Sequence, residues 1–257
     1  MPLLRRPARE KIRQSPVHPE MIMKCRMEAM IGSDCAELVY VNAGNRELLK
    51  LVERLPPGRA LDCGCGAGGN ARVLASCGWE VVGITISPGE TSEAARFCTH
   101  VYLHDLESGL PPDITGVFDL VVFSHSLEHI RNPGRVLHDA RTVLAAGGHI
   151  AVALPNILYW RYRLQFAAGR FEYEDGGIMD NTHVHFYTFQ SGARLLKENG
   201  FQLIESTVEG SFPLRPLRRI LPGAAGYLDR LACKLWPGCF GYQMLYIAKL
   251  DSSTTGD

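Results

Sequence analysis

Leu61-Asp62-Cys63-Gly64-Cys65-Gly66-Ala67-Gly68-Gly69-Asn70 decides how the rest of the chain is read. Residues 59–63 read as a strand, and residues 69–77 read as a helix with Ala71, Leu74 and Ala75 inward and Gly78 as its stop. A strand that passes through a glycine-rich turn into a helix offers backbone N–H groups to a ligand. Asp62, at the strand tip, repels phosphate and suits a ligand that carries a cationic amine.

That carboxylate separates the possible ligands. Gly64, Gly66 and Gly69 satisfy the dinucleotide pattern G-x-G-x-x-G. A nicotinamide-binding fold also needs an acidic residue about 20 positions on, at the tip of the second strand. Here that tip is Gly83-Ile84-Thr85-Ile86-Ser87, which has no carboxylate. The residues therefore favour S-adenosylmethionine over a nucleotide phosphate. A glycine turn with a structural role alone is the bland alternative.

The same alternation extends outward. Leu48, Leu51, Val52 and Leu55 recur at helical spacing and stop at Pro56-Pro57-Gly58. Strands are expected over 80–85, 99–104, 118–124 and 149–154, with a helix over 88–97 between the first two. Asn132 and Pro133 fit the cap and first position of a helix carrying Val136, Leu137, Ala140 and Leu144, ended by Gly147-Gly148. A helix over 188–199 closes at Gly200, and 201–208 and 242–250 read as two last strands. Nearly continuous apolar strands alternating with helices imply a parallel sheet covered on both faces.

Bulk properties narrow the class further. The chain has 257 residues, 46% hydrophobic and 21% charged, with no net charge, so no global field points to nucleic acid or an anionic membrane. Eight scattered cysteines lack any Cys-x-x-Cys spacing and read as free thiols in a reducing cytoplasm. The basic N-terminus is not followed by an apolar core, and no run is long enough to span a bilayer.

Four stretches together resemble the class I S-adenosylmethionine-dependent methyltransferases of small-molecule type. Residues 61–68 look like the first motif, Val82-Gly83-Ile84-Thr85-Ile86-Ser87 like the second, and His104-Asp105-Leu106 like the third. Phe118-Asp119-Leu120-Val121-Val122-Phe123-Ser124-His125-Ser126-Leu127-Glu128-His129 looks like the fourth strand and the helix after it. The resemblance covers about residues 59–154 and, more weakly, the last two strands. It implies a Rossmann-like α/β fold: a seven-stranded, mostly parallel sheet with helices on both faces, an antiparallel last strand and a small helical cap.

The resemblance also implies roles. Asp62 would orient the donor's amino group, and Gly64 and Gly66 would let the backbone approach its methionine part, with Cys65 beside them. Asp105 would bond the adenine amine, Leu106 would pack near the ring, and Ile86 would be a further donor contact. Ser124 and His125 would flank the methionine end. Thr85 departs from the Asp or Glu with which many members grip both ribose hydroxyls, and a hydroxyl holds less strongly than a carboxylate. The acceptor is expected to be a small molecule, first a sugar or secondary metabolite methylated on oxygen. An amine acceptor and a non-catalytic binding subunit are the alternatives.

His125-Ser126-Leu127-Glu128-His129 also matches the H-x-x-E-H signature of inverted zinc peptidases. Because it follows directly on a buried strand, His125 is expected in a turn, off any helix face. His129 and His183 are the candidate general bases, with a backbone-bonded helix histidine as the bland reading of His129. In Asp180-Asn181-Thr182-His183-Val184-His185, an extended backbone would send His183 and His185 to one side. That arrangement makes Asp180 and His185 candidate acceptor contacts. A self-bonded loop held by Asp180 and Thr182, or a metal site of Asp180, His183 and His185, would use the same letters. No metal is expected, so turnover should survive chelators.

Expected organisation is an N-terminal arm over 1–35, a donor-binding core over 36–154 and an acceptor-site lid over 155–187. The core then resumes over 188–250, and a tail covers 251–257. The lid is rich in aromatics, among them Tyr159 and Tyr173 as acceptor contacts. An insertion over 211–241 mixes leucines with Arg215, Arg218, Arg219, Arg230 and Lys234. Pro213, Pro216, Pro222 and Pro237 divide it into short pieces, which favours a cap or a homodimer contact over a membrane helix.

Overall fold

The computed structural model describes residues 43–214, 218 and 220–251. The expected arm over 1–35 lies outside the described residues, as do 252–257 of the tail and Arg215, Pro216, Leu217 and Arg219 of the insertion. The strands are β1 (Arg59–Cys63), β2 (Glu80–Thr85), β3 (His100–Leu103), β4 (Phe118–Ser124), β5 (Leu144–Pro155), β6 (Phe201–Gly210) and β7 (Gly241–Leu250). They form one seven-stranded sheet in the order β3-β2-β1-β4-β5-β7-β6. The pairs from β3 to β5 are parallel, and β7 runs antiparallel to both β5 and β6. Strand order reverses between β1 and β4, and ligands of such sheets bind beyond the carboxyl ends at that point.

Alternation on the strands fills two cores. On β4, Val121 and Phe123 face a cluster with Leu61, Val136, Leu137, Ala140, Leu196 and Tyr246. Leu120 and Val122 face the other cluster, with Leu48, Ala71, Leu74, Ala94 and Leu245. The first cluster is covered by α4 (Pro133–Val143) and α6 (Phe189–Glu198); the second by α1 (Arg46–Val52), α2 (Gly69–Ser76) and α3 (Pro88–Ala94). Caps set several of these starts. Asn45 accepts from the Leu48 N–H at 3.2 Å, Asn132 from that of Arg135 at 3.2 Å, and Thr188 and Ser191 form a capping box.

The structure departs from expectation in three places. Gly147 and Gly148 lie inside β5, which begins at Leu144 paired with Phe118, and the register shifts between that pair and the one at Leu120. A Cβ at Gly148 would stand 3.0 Å from the Phe118 carbonyl oxygen, so these glycines serve a bulge rather than a helix stop. The predicted helix over 88–97 ends early, at Ala94. The lid carries a helix whose bounds the sequence did not mark, α5 (Trp160–Ala167), because its N-cap Tyr159 offers no side-chain hydrogen bond as a start signal.

The insertion is helical, with α7 (Pro222–Leu235) and α8 (Pro237–Phe240). Arg218 pairs with Asp229 at 2.7 Å, and Asp229 also accepts from the Phe212 N–H at 2.8 Å. Trp160 Nε1 donates to the Ser211 carbonyl at 2.8 Å, and the Tyr159 hydroxyl meets Ser211 Oγ at 2.6 Å. Lid and insertion are thereby joined. Tyr227, Leu231, Leu235 and Trp236 leave apolar surface exposed on the insertion. Among the described residues, no helix is long and apolar enough to cross a membrane.

Candidate active site

At the β1 tip, Asp62 is fully buried, and neither carboxylate oxygen has a hydrogen-bond partner among the described residues. Burial pushes its pKa up to about 7, offset in part by Asn70. A carboxylate taken from water and left without a partner is expensive, and a cationic amine is the group that relieves it. Gly64 sits in the left-handed region at φ +84°, and a Cβ there would stand 2.9 Å from Ser126 Cβ. The Gly64 and Cys65 N–H groups both donate to the Ile84 carbonyl at 2.9 Å, and Gly68 donates to Cys65 at 3.0 Å. The N–H groups of Gly66 and Ala67 have no backbone partner among the described residues, and they stand just ahead of α2. The Cys65 thiol is buried and fills the space over Gly83, so only its backbone belongs to the turn.

At the β2 tip, the buried Thr85 hydroxyl donates to Glu90 and accepts from the Ser87 N–H at 3.2 Å. The carboxylate missing from the strand tip is thus supplied from α3 by Glu90, which is itself buried. Ile86 beside it is 66% exposed, an apolar side chain presented outward. Asp105, beyond β3, is exposed and uses Oδ1 to accept from the Glu107 N–H at 2.9 Å; Leu106 beside it is half-buried.

At the β4 tip, Ser124 is half-buried and His125 adopts φ +56°, unusual for a residue with a side chain. Its Nδ1 lies 3.3 Å from Glu128 Oε1, and its Nε2 lies 2.8 Å from Gln243 Oε1. The Gln243 amide nitrogen donates to Glu209, so its oxygen is the atom turned to His125 and to Asn45 Nδ2 at 2.9 Å. Both imidazole nitrogens therefore face acceptors, which calls for the doubly protonated ring. Burial alone would lower the His125 pKa; the hydrogen bond and charge of Glu128 overcome it and raise it. A short helical turn spans Leu127–His129, so His125 and His129 do not share a helix face and the zinc-peptidase arrangement does not form.

Glu128 and His129 meet His183 instead. The His129 and His183 rings stand edge to face at 4.7 Å, and His183 Nε2 lies 4.0 Å from Glu128 Oε1. His183 is buried; burial pushes its pKa down, and Glu128 works against that shift. Its N–H closes a turn onto the Asp180 carbonyl at 3.1 Å, so the segment is not extended. For that reason His185 does not join His183, and its Nε2 meets the Arg131 carbonyl at 3.0 Å. Asp180 is spent inside the loop, accepting the Thr182 N–H at 2.7 Å and hydroxyl at 2.6 Å. The loop thus does not bring Asp180, His183 and His185 together, and the metal set of these three is not assembled. Tyr159 is tied to Ser211, whereas Tyr173, 57% exposed, joins Phe171 and Phe186 in an aromatic edge beside His183.

Gln243, Glu90, Asn45 and Asn70 were not singled out from the sequence. Gln243 carried a signal, as a polar residue within an apolar strand. Asn45 is an ordinary helix cap in sequence, yet its N–H also reaches Asn70 Oδ1 at 2.7 Å.

A family model described as a methyltransferase domain matches residues 40–206. Among curated relatives, the ubiquinone biosynthesis O-methyltransferase of Burkholderia pseudomallei is 28% identical over 165 residues, covering 59% of this chain and 67% of that protein. Two solved structures share the fold. An S-adenosylmethionine-dependent methyltransferase from Mesorhizobium loti aligns with TM-score 0.52 at 22% identity, over 80% of this chain and 98% of its own. Magnesium protoporphyrin IX methyltransferase from Synechocystis PCC 6803, solved with bound SAH, aligns with TM-score 0.51 at 17% identity, over 80% of each chain.

Proposed function

The chain belongs to the class I S-adenosylmethionine-dependent methyltransferases, and from that membership we propose that it methylates a hydroxyl of a small molecule, a sugar or a secondary metabolite. The observation that carries the choice of oxygen is the pair of imidazoles at the mouth beyond β4. The His183 Nδ1–H donates to the Ile178 carbonyl at 3.2 Å, and His129 Nδ1 lies 3.3 Å from the Thr182 carbonyl. Each ring so held keeps its Nε2 lone pair for a proton. A neutral amine attacks with its own lone pair, whereas an alcohol or phenol gains from a base that takes its proton as it attacks. The O-methyltransferase named among the relatives supports the same choice. Phe171, Tyr173 and Phe186 beside His183 favour a flat acceptor ring.

The residues at the strand tips fit the donor. Asp62 would hold its amine, the Gly66 and Ala67 N–H groups its carboxylate, and Asp105 its adenine amine, with Ile86 and Leu106 against the ring. Thr85 would act through Glu90, which stands next to the β2 tip. Ser124 and His125 border the methionine end. The bound donor supplies an electrophilic sulfonium methyl. The chain's work is then alignment, exclusion of water by the lid, and removal of the hydroxyl proton to Nε2 of His183 or His129. The exposed apolar face of the insertion is the surface a homodimer would use.

The test is incubation of the purified protein with S-adenosylmethionine and a panel of hydroxylated rings and amines, followed by mass spectrometry. A methyl ether on a hydroxylated ring is expected. Methylation of amines alone would replace this reading with N-methylation. Donor binding with no product on any acceptor would make the chain a binding subunit.

A further inference from the structure

We propose that Glu128, His129 and His183 form a binding site for a divalent transition-metal cation, zinc being the representative case. One Glu128 oxygen and one ring nitrogen of each histidine all lie within 4.8 Å of one another. Nothing in the sequence spacing brings these three together. The turn after β4 supplies Glu128 and His129, and the loop after the lid helix supplies His183.

Hydrogen bonds around the cluster decide what each atom can offer. Glu128 is fully buried; Oε1 takes the His125 Nδ1–H, and Oε2 has no hydrogen-bond partner among the described residues. The His183 Nδ1 has only the Ile178 carbonyl to bond, so it carries the proton and Nε2 carries the lone pair. That lone pair lies 4.0 Å from a Glu128 oxygen, so two acceptors face each other. The Thr182 hydroxyl donates to Asp180 Oδ1 at 2.6 Å, so at 3.1 Å from His129 Nδ1 it can only accept. His129 Nδ1 therefore carries its proton too, and its Nε2 is left as a lone pair. Two imidazole lone pairs and a buried carboxylate are brought together with no donor among them.

A cation resolves that conflict. Two histidines and one carboxylate are a donor set for zinc and for other first-row divalent ions, with positions left open for oxygen ligands. Metal–ligand distances of about 2.0–2.2 Å imply that the three side chains close by roughly an ångström on binding. The Ile178 carbonyl and the Thr182–Asp180 pair would orient the two imidazoles from behind, the role outer partners play at metal sites. Asp180, which holds the Thr182 hydroxyl, thereby gains a positioning role. This departs from the expectation of a metal-free site. Its consequence for turnover rests on the O-methylation reading. An acceptor hydroxyl bound at an open position would lose its proton to water near neutral pH, and its oxygen would then take the methyl as the donor's sulfur–carbon bond breaks. With the ion bound the two imidazoles hold it, and the proton that the metal-free site would pass to Nε2 of His183 or His129 leaves to water instead.

The test uses the full chain stripped with EDTA and titrated with Co²⁺, followed by visible absorption, with Zn²⁺ as competitor. Binding of S-adenosylhomocysteine, measured on the same samples, reports folding and the donor site separately. One Co²⁺ per chain, displaced by Zn²⁺, is expected, and Glu128→Gln and His183→Asn should each weaken it at least about tenfold while S-adenosylhomocysteine still binds. A wild-type protein that binds S-adenosylhomocysteine but no Co²⁺ or Zn²⁺ overturns the cation site and leaves the methyl-transfer reading standing. Cation binding undiminished in both variants also overturns it, because the ion then sits elsewhere, for example on the exposed Cys77. Cation binding lost in both variants of a protein that binds no S-adenosylhomocysteine supports the site and sinks the donor reading.

Discussion

Asp62→Ala should weaken S-adenosylhomocysteine binding by roughly 10- to 100-fold, the loss of a charge-assisted bond of about 1.5–3 kcal/mol. The carboxylate is buried, no charged group among the described residues pairs with it, and the neutral Asn70 offsets only part of the cost of its burial, so a ligand's amine is the strong partner the site anticipates. Its pKa, raised from 3.8 to about 7, gives the effect a pH signature. Below pH 7 the group is increasingly neutral and holds an amine poorly, so affinity should rise as pH climbs through 7. The slope should vanish in Asp62→Asn. The sign for stability is opposite. A carboxyl whose folded pKa is raised favours the folded state below the unfolded pKa, and that contribution disappears as pH rises through about 7. Thermal melts without ligand should therefore show Asp62→Asn gaining stability over wild type above neutrality, while calorimetry shows it losing the ligand. A variant that keeps both the affinity and its pH slope would remove Asp62 from the donor site.

Gly64→Val should lower stability by about 2–5 kcal/mol. A left-handed backbone carrying a side chain costs about 1–2 kcal/mol, and forcing a group into packed space adds about 1–3 kcal/mol. Here φ is +84°, and the new Cβ would stand 2.9 Å from Ser126 Cβ. The two contributions can be separated by adding Ser126→Gly, which removes the contact and leaves the backbone strain. Partial recovery of the melting temperature in the double variant is expected. Full recovery would show that the turn tolerates a side chain, and no recovery would place the damage elsewhere.

The core of the fold was legible because β1 through β5 carry dense apolar runs and their helices have clear stops. Asn132 with Pro133 announced α4, and the glycine turn announced the β1–α2 crossover. Gly147 and Gly148 misled, because a glycine pair reads alike as a helix stop and as a bulge; the difference lies in Phe118 across the sheet. In the site, the backbone-borne part was readable and the side-chain network was not. Thr85 looked like a weakened ribose contact because its partner, Glu90, comes from the next helix. His183 and His185 were paired by assuming an extended strand, whereas the Asp180–Thr182 turn separates them. The cluster joins the adjacent Glu128 and His129 to His183 from a distant loop, and needed the folded loop to be seen.

The proposed donor site is built around Asp62 and the glycine turn. Isothermal titration of the wild-type protein with S-adenosylhomocysteine, and in parallel with NAD, tests it most directly. The expected result is saturable, one-to-one binding of S-adenosylhomocysteine and no heat with NAD. Binding of NAD with none of S-adenosylhomocysteine would contradict it.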